Sequence, residues 1–289
     1  MNLRMRTAAL LAMFGLLIAA VMAAPASAAI QIGATFPPTE HGSANFTYLQ
    51  TATPTGEYRI PSDGVIASWS HESTAAAQQL KLKVARAAGG NNFTIVGEST
   101  LETMAPSTLN TFQARIPVRA GDVIGLYEVT EADIARQILS PGFEYHILSG
   151  DPAPGTTAGY TMGTTIQFDL SATLEPDADN DGFGDETQDA CPGQPGATNG
   201  CPPQTTITGG PKDKTRKKTA TFAFTANVAG ATFECSLDGD PFSACTSPHG
   251  VKVKKGKHSF EVRATDNGGF LGSPASDDWK VKKKRKRKK

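Results

Sequence analysis

The chain has 289 residues, of which 39% are hydrophobic and 19% charged, a balance that excludes a wholly disordered protein and by length suggests about two domains. Lys plus Arg equal Asp plus Glu at 28 each, but the zero net charge conceals a polar chain. Ile30 to Leu174 holds 7 basic and 13 acidic residues, Glu175 to Ala190 holds seven acids and no base, and everything from Cys191 onward holds 19 basic and 8 acidic residues. Such asymmetry bears on partners and orientation rather than on fold.

In chain order, Arg4 and Arg6 precede an apolar run from Ala8 to Ala24, and Ala26-Ser27-Ala28 supplies the small residues of a cleavage site. Residues 1–28 therefore read as a secretory signal peptide, with an uncleaved anchor as the alternative, and the protein is expected outside the cell or at its surface. The mature chain is expected to carry no transmembrane segment.

Residues 30–174 read as one β-sandwich. Leu80, Leu82 and Val84 alternate with Gln79, Lys81 and Lys83; Phe112, Ala114, Ile116 and Val118 alternate with polar neighbours and Pro117; Ile166, Phe168, Leu170, Ala172 and Leu174 alternate with Gln167, Asp169, Ser171 and Thr173. Each run places apolar side chains on one face, as a half-buried antiparallel strand requires. Gly89-Gly90-Asn91-Asn92 and Ala120-Gly121-Asp122 mark tight turns. A short helix is predicted at Thr130–Leu139.

Residues 175–203 form an acidic loop followed by a Pro/Gly linker, and residues 205–281 show a second set of alternating strands. Ala220, Phe222 and Phe224 share one face; Phe233, Cys235 and Leu237 another; Phe260, Val262 and Ala264 a third, with Trp279 and Val281 closing the set. Several short strands with turns at Asp238-Gly239 and Asn267-Gly268 point to an immunoglobulin-like sandwich. The tail, residues 282–289, continues a stretch in which nine of the last ten residues are Lys or Arg, too charged to fold.

The most specific chemical signal is Asp177-Ala178-Asp179-Asn180-Asp181-Gly182-Phe183-Gly184-Asp185. Carboxylates at alternate positions converge when such a chain curls. Ca²⁺ takes six to eight oxygens, and Asp177, Asp179 and Asp181 by side chain, Phe183 by carbonyl, Asp185 directly or through water and Asp189 are the candidate ligands. The loop is similar to an EF-hand loop and resembles still more a thrombospondin type 3 repeat, in which the acidic run leads into Cys-Pro as Asp189-Ala190-Cys191-Pro192 does here. It departs from both where the last carboxylate ligand is expected: position 188 is Gln, and Asp189 falls one residue late.

Four cysteines, all beyond the first domain, imply disulfides in an exported chain. Of three possible pairings, the local ones fit best: Cys191–Cys201 and Cys235–Cys245, each closing a loop of about eleven residues and contributing roughly 2.8 kcal/mol on the chain-entropy model. The spacing offers no Cys-x-x-Cys or paired His for zinc.

The stretches Ala220–Thr225, Ala231–Gly239, Cys245–Pro248 and Phe260–Asp266 resemble the Ig-like modules of exported actinobacterial proteins, and the first domain is similar to the jelly-roll-like region found beside them. The resemblance implies an all-β surface protein: an N-terminal jelly-roll-like sandwich, a calcium-loop linker and a C-terminal Ig-like module, with an adhesive rather than a catalytic role.

No Gly-x-Ser-x-Gly, P-loop or dinucleotide fingerprint occurs, and His71-Glu72 lacks the second zinc-protease histidine because residue 75 is Ala. His41, His71, His146, His249 and His258 read as surface or turn residues. The rival to a non-catalytic binding protein is an extracellular carbohydrate-active enzyme with two carboxyls on the first sandwich. Trp69, Tyr58, Tyr127 and Tyr145 are the aromatics that could stack on sugar, which makes a glycan the candidate ligand of that domain. The basic tail reads as an electrostatic tether to cell-wall polymer or another extracellular polyanion, not as a specific nucleic-acid reader.

Overall fold

The structure is a computed structural model that describes residues 28–74, 77–138 and 141–283; the predicted signal peptide, apart from Ala28, and all but two residues of the tail lie outside these. The described residues form twenty-three strands and no helix, so none is long and apolar enough to cross a membrane as a helix.

In the first domain, alternation builds two facing sheets. One runs Ile30–Ala34, Leu170–Glu175, Gly64–Glu72, Leu109–Val118; the centre of the other runs Asn92–Glu98, Gln79–Ala87, Val123–Glu128, Phe46–Ala52. Numbered along the chain, these eight strands pair first with last, second with seventh, third with sixth and fourth with fifth. That is a long antiparallel ribbon rolled upon itself, the jelly roll. Between the sheets lie Ile66, Trp69, Leu80, Leu82, Val84, Ile124, Leu126 and Leu170, all without exposure.

The second sheet is covered on its outer face too. Leu49, Ala85, Phe93, Ile95, Val123 and Tyr160 form a separate buried cluster there, and Thr157–Gly159 pairs along the sheet edge. This cover explains a departure from simple alternation. Lys83, expected to face solvent, is fully buried; it is paired with Glu98 and Asp151 and bonded to the Pro152 carbonyl at 3.0 Å.

Two further expectations are corrected. The helix predicted at Thr130–Leu139 is a strand, Asp133–Gln137, held between Ile166–Phe168 and Glu40–His41; Leu139 itself lies outside the described residues. Pairing on both sides supplies backbone partners that the local sequence does not reveal. The run Ile166 to Leu174 is broken at Asp169, which is fully buried. Its carboxylate accepts the N–H groups of Phe36 and Glu72, at 2.8 and 2.7 Å, and meets His71 Nδ1 at 2.9 Å.

The last domain is a two-sheet sandwich. Thr205–Gly209, Thr219–Ala226 and His249–Lys252 form one sheet; Lys214–Thr215, Ala275–Val281, Gly256–Thr265, Thr232–Leu237 and Ser243–Cys245 form the other. Phe222 stacks on Phe260 with centroids 3.9 Å apart and Trp279 packs on Phe222, so aromatic side chains fill the space between the sheets. Cys235–Cys245 joins neighbouring strands of one sheet rather than bridging the two sheets as in antibody domains.

Candidate metal site

The acidic loop begins where the last jelly-roll strand ends. Glu175 closes that strand and is buried; its carboxylate accepts the N–H groups of Glu186 and Thr187 and the Thr187 hydroxyl, at 3.1, 3.0 and 2.7 Å. Gly184 passes so close that a Cβ there would strike this carboxylate. In between, the chain turns sharply through Asn180 and Gly182, with φ of 60° and 85°, a left-handed conformation that glycine and asparagine tolerate best.

This turn brings Asp177, Asp179 and Asp181 together, with one carboxylate oxygen from each lying within 4.8 Å of the others. Two of the three are held by backbone donors. Asp177 accepts from Asp181 and Gly182, both at 3.1 Å; Asp181 accepts from Phe183 at 2.9 Å and from Gly196 at 3.0 Å. Asp179 is different: both its carboxylate oxygens are shielded from solvent and neither has a hydrogen-bond partner. Asp189 Oδ1 accepts the Cys191 N–H at 2.6 Å, while its Oδ2 is also buried and unpartnered.

Burial, reinforced by the charges of Asp181, Asp189 and Asp177, raises the Asp179 pKa. Burial also raises that of Asp189, with Asp181, Asp185 and Asp177 adding repulsion, and burial raises that of Asp177 despite its backbone bonds. A buried carboxylate with no donor is costly. A cation among these groups would remove the cost.

The remaining candidates fall into place around this centre. Asp185 turns its carboxylate to the Ala178 N–H at 3.2 and 3.3 Å and so braces the loop from within. The Phe183 ring is covered by the Arg115 guanidinium, 4.2 Å from its centroid. Gln188 does not face the aspartates. Its Nε2 donates to the Ala114 carbonyl at 2.6 Å and, more weakly, to Ala67 at 3.4 Å. Ala67 and Ala114 lie where the register between Gly64–Glu72 and Leu109–Val118 slips, so the amide fills a β-bulge of the jelly roll. A carboxylate could not donate there. Position 188 thus docks the loop on the sandwich, with the Asp189 carboxylate beside it.

The linker continues this anchoring. Cys191–Cys201 closes it, consistent with an oxidising compartment, and Cys235–Cys245 is likewise formed. The bond from Gly196 to Asp181 ties the closed loop to the aspartates, and the next residue, Ala197, donates to Asp266 Oδ2 at 2.9 Å. Asp266 belongs to the last sandwich, where its Oδ1 also gathers the N–H groups of Gly268 and Phe270. One short path of hydrogen bonds therefore joins jelly roll, acidic loop and C-terminal module.

The histidines are not all surface residues. His71 is fully buried between Asp169 and Gln78; burial pulls its pKa down, but the hydrogen bond and charge of Asp169 outweigh this and hold it above the ordinary imidazole range. His146 is buried beside Thr51, and burial lowers its pKa. His258 pairs with Asp238 at 2.8 Å. Of the aromatics considered for sugar stacking, Trp69, Tyr58 and Tyr127 are buried, and Tyr145 packs edge-on against Phe168 with centroids 5.6 Å apart. Trp69, Tyr58 and Tyr145 belong to the core between the sheets, and Tyr127 lies under the Lys81 and Lys83 ammonium groups.

No family model matches the chain, and neither does any curated protein. Among solved structures, it is similar to the fibronectin(III)-like modules of CbhA from Clostridium thermocellum at 12% identity, covering 88% of this chain and 94% of that one with a TM-score of 0.25. The glycoside hydrolase domain of Endo-D from Streptococcus pneumoniae aligns at 10% identity over 83% of this chain and 32% of that one, TM-score 0.21. The tripod from the baseplate of bacteriophage Tuc2009 aligns at 9% identity over 88% and 81%, TM-score 0.14. At such scores none of these likenesses bears on function, and the fold rests on the strand order above.

Proposed function

We propose that the protein is an exported, non-catalytic binding protein in which a calcium ion fastens a jelly roll to an Ig-like module. The observation that carries this reading is the set of three buried, unpartnered carboxylate oxygens on Asp179 and Asp189 beside Asp177 and Asp181. All the donors are oxygens, which suits a hard cation, and four carboxylates plus the Phe183 carbonyl suit Ca²⁺ better than Mg²⁺, which keeps most of its water. Asp177, Asp179, Asp181, Asp189 and Phe183 would hold the ion, with Asp185 and Gln188 positioning the loop. The ion supplies charge compensation and no chemistry of its own. The jelly roll then presents a ligand-binding surface, a glycan being the chemistry expected of it, and the basic tail adds an electrostatic hold on an extracellular polyanion.

Thermal unfolding of the mature chain in 5 mM calcium and in EDTA tests this. With dissociation constants of roughly 10⁻⁴–10⁻³ M, as for extracellular modules, calcium should add about 1–2 kcal/mol. Magnesium should add less. Identical curves in calcium and EDTA would remove the reading.

A further inference from the structure

The acidic loop forms one wall of a groove of about 480 Å³, through Asp177, Asn180, Asp181 and Gly182. The facing wall belongs to the jelly roll: Asp63, Arg86, Arg119 and, at the base, Val96, Pro117 and Val118. Its size falls within the range of small-molecule clefts, roughly 300–1,000 Å³. Arg86 is fixed by two hydrogen bonds from Nε and Nη2 to Asp122, at 2.7 and 2.9 Å, while its Nη1 has no protein partner among the described residues. Asp122 also accepts the Arg119 backbone N–H, which sets the base of that side chain, and the Arg119 guanidinium is exposed with no carboxylate partner among the described residues. Asp63 spends Oδ1 on the Ala120 N–H and keeps Oδ2 free to accept.

Two of the aspartates that would hold the cation therefore also line a groove whose other wall carries guanidinium groups. With Gln188 diverted into the β-bulge, the protein offers about five oxygens where Ca²⁺ takes six to eight, so coordination positions are open to an outside oxygen. We propose that this groove binds a uronic-acid residue of an extracellular polysaccharide, its carboxylate bridging the loop's cation and Arg119. Asp63 and Asn180 accept from the sugar hydroxyls, and Val96, Pro117 and Val118 underlie the ring. The domain around the groove carries seven bases against thirteen acids. That field repels a dense polyanion strongly and a single carboxylate set among neutral sugars far less. This inference rests on the cation reading and adds the ligand class to it.

The test uses the mature chain and two probes: a xylo-oligosaccharide carrying one glucuronate, and the same oligosaccharide without it. Calcium binding is titrated first by calorimetry. The acidic probe should then bind in calcium, lose at least tenfold in affinity in EDTA, and lose at least tenfold in Arg119→Ala, which should still bind calcium; the neutral probe should bind at least tenfold more weakly. Calcium binding without binding of the acidic probe would overturn the groove assignment and leave the cation reading standing. Absence of calcium binding would remove both. Equal affinity in EDTA, equal affinity in Arg119→Ala, or preference for a Glu-containing peptide over the glucuronate would each overturn the proposal.

Discussion

Asp169 in the jelly roll and Asp179 in the acidic loop are both carboxylates shielded from water, and they are treated in opposite ways. Asp169 receives two backbone N–H groups and a histidine, so the protein itself stabilises the charge. Asp179 receives no well-formed hydrogen bond, and the nearby Asp181 N–H offsets only a little of its raised pKa. Glu128 falls between them: Oε1 accepts the Ala132 N–H at 2.6 Å, while Oε2 is buried without a partner. Burial, with Glu131 and Asp133 adding to it and His71 opposing it, pushes the Glu128 pKa up to about 7. One carboxylate is thus met by donors, one is pushed toward its protonated form and one, on our reading, is met by a metal ion. The number of oxygens brought to one point decides between the last two. A single buried carboxyl oxygen without a donor, as at Glu128, is met by one proton, whereas the convergent carboxylates of Asp177, Asp179 and Asp181, with Asp189 beside them, are met more economically by one divalent ion.

The largest effect is expected where donors do the stabilising. Asp169→Ala removes the charge facing His71, which keeps the residue-169 carbonyl and Gln78, and leaves the Phe36 and Glu72 N–H groups unmatched, so denaturant unfolding should show a loss of about 3–5 kcal/mol. The loss should be equal in calcium and EDTA.

Next comes the proton. A carboxyl whose folded pKa is raised contributes fully below its unfolded value near 4.5 and loses stability as pH rises through about 7. Glu128→Gln keeps an acceptor for Ala132 and removes the titration. Relative to the parent, the variant should gain on the order of 2–3 kcal/mol between pH 4.5 and pH 8, read from unfolding midpoints across that range. A constant difference would show that Glu128 does not titrate with folding.

Gln188→Glu asks whether position 188 is a dock or a lost ligand. As a dock it should weaken: a carboxylate against the Ala114 carbonyl cannot donate, at a cost of about 1–3 kcal/mol, with no gain in calcium affinity. Tighter calcium binding in this variant would show that the loop can re-aim the residue.

Much of this was legible from local pattern. Leu80, Leu82 and Val84 are buried as their alternation implies, the Asp177–Asp181 spacing brings three carboxylates together, and the nearby cysteines pair locally. What could not be read depends on distant chain. Lys83 is inside because residues 98, 151 and 152 meet it there, and Asp133–Gln137 is a strand because residues near 40 and 167 pair with it. Gln188 looked like a defect in a metal loop because the bulge it fills lies 74 and 121 residues away in sequence.

Calorimetric titration of calcium into the mature chain and into Asp179→Ala tests the account most directly. The parent should bind one ion at roughly 10⁻⁴–10⁻³ M, and the variant should bind none while being at least as stable as the parent in EDTA, since an unmatched buried carboxylate is gone. Undiminished binding in the variant, or a variant less stable than the parent in EDTA, would contradict the claim that Asp179 is held in place for a cation.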